Sequence, residues 1–206
     1  MKNTMDREVD FPRIDGVYYG GDQNWYRHWL MRLGGCSTTT ACEACICLAK
    51  QCADLRPLYP GDPCQVTREE FQRFAETMFP YVHPGIGGLT DPKRYALMLR
   101  SYAASCGVSA AADVLEGTAG PGAAEAFIRE AVQDGRPVAC LVLRHRDPQM
   151  EDFEWHWFSL SGHRGSGTEF EVLAANLGRR HILPLARLWD TGFAWKGGLV
   201  SLRRSA

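Results

Sequence analysis

The chain has 206 residues, 45% hydrophobic and 23% charged, and its 23 basic and 24 acidic side chains leave a formal net charge of −1. That length buries a core without disulfide or metal staples, and the near-neutral balance argues against nucleic acid or an anionic membrane as partner. The N-terminal MKNTMDREVDFPRIDG is polar, and no later apolar run approaches the roughly 20 residues that span a bilayer, so a soluble, unexported protein is expected. Of the eight cysteines, Cys42, Cys45, Cys47 and Cys52 crowd one helical segment. Most pairs within a helix cannot reach disulfide geometry, so reduced thiols in a cytoplasm are expected.

From Thr38 to about Ala53, the residues Ala41, Ala44, Cys45, Leu48 and Cys52 recur at helical spacing. After a segment punctuated by Gly and Pro, TREEFQRFAETMF (Thr67 to Phe79) sets Thr67 and Glu70 at capping-box spacing and Phe71, Phe74 and Met78 on one side, which predicts a second helix. Asp91 and Pro92 open a third, through Tyr95, Leu99 and Tyr102 to a stop at Gly107. PGAAEAFIREAVQDG, from Pro121 to Gly135, gives a fourth.

Beyond Gly135 the period changes. PVACLVL (Pro137 to Leu143), FEWHWFSLSG (Phe153 to Gly162), EFEVLAAN (Glu169 to Asn176), RHILPL (Arg180 to Leu185) and FAWKGGLVSL (Phe193 to Leu202) are short aromatic or β-branched runs between turn residues. They predict the strands of one antiparallel sheet. The fold class is therefore α+β, one domain with a helical lobe over about residues 16–135, a β lobe over about residues 136–206 and a cleft where they meet.

The stretch GGCSTTTACE places Cys36 after two glycines at the entrance to the first helix. A thiol attacks as thiolate, and a helix N-terminus with a nearby imidazole lowers its pKa. Thr40 and Glu43 also fit a capping box, which would begin the helix four residues later and leave Cys36 on the entering loop. Among the histidines, His156 stands mid-strand in EWHWFSLSG, where alternation sends it and Phe158 to the face opposite Trp155 and Trp157. A strand holds a base more rigidly than a turn does. Asn176 ends the next strand, where its amide can fix the ring's tautomer.

The order of these residues, a cysteine at a helix start, a histidine on a strand about 120 residues on and an asparagine about 20 further, resembles the papain-like cysteine peptidases. The HWF strand followed by AAN is similar to the C39-like branch of that family. The resemblance covers Gly16 to Ala53 and Phe153 to Trp195. It implies a papain-like fold with Cys36 as nucleophile, His156 as general base and Asn176 as the residue that orients the ring. Gln23, in YYGGDQNWY, would donate to the oxyanion together with the Cys36 backbone amide. Thirteen positions separate Gln23 from Cys36, more than the family usually has, so NWYRHWLMRLGG must loop out if Gln23 holds that role. Ser37 stands where the family commonly has glycine.

The expected activity is cleavage of an amide in a peptide or protein substrate through a thioester on Cys36, with no cofactor or metal. Deamidation or acyl transfer would use the same parts. A papain-like shell that binds a peptide or protein without turnover is the alternative from another class. A metal or redox role for Cys42 and Cys45 lacks the second C-x-x-C pair or spaced histidines that zinc would need.

Overall fold

Gly35 closes one helix and opens the next. In the computed structural model, which describes residues 6–205, its N–H donates to the Met31 carbonyl at 2.8 Å to end α1 (Trp29–Gly34), and α2 (Cys36–Ala49) starts immediately after it. A Cβ at Gly35 would stand 2.3 Å from the Met31 carbonyl oxygen, so this junction requires glycine. Of the two helix starts the sequence allows, the earlier is taken. Thr40 Oγ1 donates back to the Ser37 carbonyl at 2.9 Å, and Glu43 is buried rather than reaching for a cap.

The capping box of α3 (Arg68–Met78) forms as its spacing predicts, with the Thr67 N–H donating to Glu70 Oε2 at 2.9 Å and the Glu70 N–H to Thr67 Oγ1 at 3.2 Å. Asp91 caps α4 (Pro92–Ser105) by accepting from the Lys93 N–H at 2.8 Å, and Gly107 leaves it at φ +73°. α5 (Pro121–Gln133) follows Gly120. The strand expected over Arg180 to Leu185 ends at Pro184, and Leu185–Trp189 forms the short α6.

The sheet is antiparallel throughout. Its order runs β4 (Ala110–Glu116), β9 (Gly198–Arg204), β5 (Val138–Val142), β6 (His156–Arg164), β7 (Glu171–Asn176), β8 (Arg179–Pro184). β1 (Arg7–Glu8) pairs with Gly162 and His163, continuing the edge of β6 past the point where β5 ends at Leu160. A separate two-stranded ribbon joins β2 (Arg13–Ile14) to β3 (Tyr18–Tyr19). α+β is thus the class of the fold, but the expected boundary near residue 135 does not divide helix from sheet. β4 comes from the helical half and pairs with β9 along its whole length, although AAADVLE carries no strand-like alternation. Pairing with β9 and packing against α4 override its weak local preference.

Both sheet faces are covered. Ala139, Leu141, Trp157, Val200 and Leu202 pack with α2 and α4, while Val138, Cys140, Phe158, Leu160 and Val172 pack with α5. Burial on two sides explains the unbroken apolar run VACLV. No helix among the described residues is long and apolar enough to cross a membrane.

The capping box gives a stability test. Thr67→Ala should cost about 1 kcal/mol and lower the thermal midpoint by about 2–4 °C in calorimetry; no change would mean that α3 is held by packing alone.

Candidate functional site

Cys36 is half-buried at the first position of α2, with its neighbour Ser37 fully enclosed. Burial pushes its thiol above the usual value of 9.0, opposed by hydrogen bonds from the backbone N–H groups of Trp157, Ser37 and Cys36 itself. The helix start therefore does not yield the depressed thiol pKa expected from sequence. Removing the sulfur from water outweighs the donors gathered around it. Cys36 and Trp157, the residue that follows His156, line the same two cavities.

His156 begins β6. Trp155, expected to share the strand, instead takes φ +53° just before it, so the alternation holds from His156 onward, with Trp157 and Phe158 on opposite faces. His156 Nε2 is 2.9 Å from Asn176 Oδ1, and Asn176 Nδ2 donates to the Asp152 carbonyl at 3.1 Å. The second bond decides the first. With Nδ2 committed to a carbonyl, Oδ1 is the acceptor, so Nε2 carries the hydrogen and Nδ1 keeps its lone pair. Burial lowers the ring's pKa below the usual 6.5, and the Asn176 bond and the Asp22 charge offset part of that. The result is a neutral imidazole of defined tautomer.

Asn176 closes β7 opposite Arg179, and Leu177 (φ +49°) and Gly178 (φ +73°) form the two-residue turn into β8. That turn is clamped to the loop that carries Gln23. The Gly178 N–H donates to the Gly21 carbonyl at 3.0 Å, and the Tyr19 N–H donates to the Gly178 carbonyl at 2.9 Å.

Gln23 opens a single 3-10 turn capped by Asp22. The long interval to Cys36 is taken up by α1, which folds back so that Gln23 Nε2 donates to the Arg32 carbonyl at 2.8 Å. Arg32 in turn donates to the Tyr26 and Arg27 carbonyls at 3.0 and 2.8 Å. Gln23 Oε1 is buried without a hydrogen-bond partner. Cys36, His156, Asn176 and Gln23 all line one small cavity, together with Thr39, Thr40, Glu43 and Leu177. The chain matches no family model and no curated protein.

Glu43 was legible only as a cap, yet it lies under this cavity. Its Oε1 accepts from the Gly21 N–H at 2.8 Å, and its Oε2 accepts from the Ser159 hydroxyl at 2.6 Å. One carboxyl thereby joins the loop bearing Gln23, the helix bearing Cys36 and the strand bearing His156. A lone acid on a helix face otherwise made of Ala, Cys and Thr was the signal that it serves the interior. Cys42, Cys45 and Cys47, by contrast, are buried and unpaired, with burial pushing their thiols up. Among the described residues no cluster of three His, Cys, Asp or Glu could hold a metal ion.

Burial pushes the Glu43 carboxyl up to about 8, against the Ser159 and Gly21 bonds that pull it down. The folded state thus favours the neutral acid. Its contribution is complete below the unfolded pKa of about 4.3 and disappears as pH rises through the folded value. Urea midpoints of the native chain should therefore fall from pH 5 to pH 9 relative to Glu43→Gln, whose amide has no charge to bury. A difference between the two that stays constant across this window would show that Glu43 is ionised in the fold.

Proposed function

We propose that the protein is a cysteine hydrolase of papain-like architecture, cleaving an amide in a peptide or protein substrate within a cleft between its helical and β parts. The observation that carries this reading is the His156–Asn176 bond, which leaves Nδ1 as the unprotonated nitrogen of a ring that lines the same cavity as Cys36. Supporting it are the order of cysteine, histidine and asparagine in the chain and the arrival of Gln23 at the same cavity.

In this reading the resting pair is an uncharged thiol and an uncharged imidazole. The sulfur attacks the carbonyl carbon as its proton passes to His156 Nδ1, giving an imidazolium and a tetrahedral oxyanion. The Cys36 backbone N–H and the Gln23 amide hydrogen not given to Arg32 stabilise that oxygen. The C–N bond then breaks, and the leaving amine takes the proton from His156. Water, deprotonated by the same ring, releases the acid from the thioester and restores the thiol. Ammonia as the leaving group would make the reaction a deamidation, and an amine in place of water would make it acyl transfer.

A second reading, a papain-like shell that binds a peptide without turnover, draws on two observations. The thiol is pushed up rather than down, and Gln23 already spends one amide hydrogen on Arg32.

Alkylation by iodoacetamide separates the two. With His156 as base, the Cys36 rate should level off above pH 6.5, where the ring is unprotonated, and His156→Ala should lower it about 100-fold at pH 7. In that variant the remaining rate should climb about tenfold per pH unit toward the thiol's own pKa. A native rate that climbs in the same way and ignores the His156 substitution would leave only the binding shell.

A further inference from the structure

Two pieces of chain from the β part, residues 143–147 and 190–197, meet beside the candidate site. Leu143, one residue past β5, lines a groove next to Cys36 together with Trp155 and with Leu30 and Leu33 of α1, and its carbonyl accepts the Trp155 N–H at 3.2 Å. Beyond the groove the surface continues along the second piece. The Trp195 ring stands edge-on to Trp155 with 5.5 Å between centroids, and two residues before it Phe193 meets Arg144 and Arg146.

Both guanidinium carbons lie over the Phe193 ring, at 5.4 Å from its centroid for Arg144 and 5.3 Å for Arg146. No more than about 11 Å therefore separates the two charges, close to one Debye length at 0.1 M salt, so they repel. The backbone holds them there even so. The Arg146 N–H donates to the Thr191 carbonyl at 2.9 Å, and Gly192, at φ +75°, leaves room for the Arg146 stem, whose Cδ lies where a side chain would begin. The neighbouring Arg187 is paired with Asp147 at 3.1 Å. Among the described residues neither Arg144 nor Arg146 has a carboxylate partner. An arginine fork set in place before it meets an anion loses little further freedom on doing so, and here two such forks share one ring with no counter-charge.

We propose that Arg144, Arg146 and Trp195 form a docking surface for an acidic stretch of the peptide that occupies the cleft. This rests on the peptide occupant proposed above, whether that peptide is cut or only held. Charge complementarity selects the occupant: a guanidinium takes a carboxylate through paired N–H groups, and Trp195, 54% exposed, offers a flat apolar contact to the neighbouring residue. Asp147 follows Arg146 in the chain and Asp190 precedes Thr191, so acids border the arginine pair on both sides. The positive area is two guanidiniums wide on a chain of net charge −1, which suits one or two side-chain carboxylates and not the long phosphate backbone of a nucleic acid.

The test titrates the full chain carrying Cys36→Ala, which has no thiol to cut with, against fluorescein-labelled peptides of eight residues. Their four central residues are all Glu, all Gln or all Lys, flanked by Gly and Ser, and binding is read by fluorescence anisotropy. At about 50 mM salt the Glu peptide should bind at least about tenfold tighter than the Gln and Lys peptides, and about 500 mM salt should remove most of that difference. Arg144→Gln combined with Arg146→Gln, both at exposed positions, should lower the affinity for the Glu peptide at least about tenfold and leave that for the Gln peptide unchanged. Arg100→Glu, an exposed change on α4 that alters the net charge by the same amount, should move neither affinity by more than about twofold. Equal affinities for the Glu and Gln peptides, or no saturable binding of the Glu peptide, would overturn the docking surface. So would an equal loss in Arg100→Glu, which would reduce the effect to the charge of the whole chain. Because the titrated protein lacks the Cys36 thiol, none of these outcomes moves the His156-dependent alkylation on which the hydrolase reading stands.

Discussion

Every residue of α2 after Cys36 is buried, although a run of three threonines and a glutamate lies within it. A helix enclosed on all sides has no water to satisfy such groups, and the threonines and the glutamate, though not the Ser37 hydroxyl, find partners on whatever surrounds it. Thr38 donates to the Val82 carbonyl at 2.7 Å, Thr39 meets the Tyr26 hydroxyl at 2.7 Å, and Thr40 meets the Tyr95 hydroxyl of α4 at 3.1 Å. Glu43 takes the Gly21 loop and Ser159 of β6. Polar side chains that would weaken an isolated buried helix instead become four fixed points, each on a different piece of chain. The rest of the molecule is arranged around this helix, and the thiol is at its first residue.

That arrangement sets the electrostatics of the site. Enclosing α2 removes the Cys36 thiol and the His156 ring from water together, which disfavours the charged form of each and moves their pKa values apart, the thiol's up and the ring's down. A resting ion pair would need that desolvation to be repaid by contacts that exist before substrate arrives. Trp157, Ser37 and Cys36 supply N–H donors to the sulfur, but burial prevails. The backbone shows where geometry is forced: the two non-glycine residues at positive φ in the second half of the described chain, Trp155 and Leu177, flank His156 and Asn176 in sequence. Such conformations persist only where the surroundings over-determine them.

Much of this was legible in the sequence because it depends on local chemistry. The caps at Thr67 and Asp91, the stop at Gly107 and the strands from Pro137 onward follow from spacing and residue type, and so does the ordering of Cys36, His156 and Asn176. What was not legible depends on partners distant in the chain. AAADVLE becomes β4 only because β9 lies beside it. The start of α2 is decided by Gly35 closing α1, not by the capping box that Thr40 and Glu43 appeared to offer. The direction of the Cys36 pKa could not be read from its place at a helix start, because the opposing burial comes from residues far along the chain, Trp157 among them.

The interval between Gln23 and Cys36 is folded rather than loose. If NWYRHWLMRLGG were an unstructured loop, Gln23 would be held only by its own short turn. Instead α1 returns the Arg32 carbonyl to the Gln23 amide, the Gly21 N–H is held by Glu43, and the Gly21 carbonyl is held by the turn that follows Asn176. The glutamine is thus fixed from α1, α2 and the β7–β8 turn at once. The side of α1 bearing Leu30 and Leu33 faces the groove beside Cys36, so the same six-residue helix that holds the Gln23 amide adds an apolar surface next to Cys36. The small cavity is bordered instead by the two residues at the ends of this interval, Gln23 and Cys36.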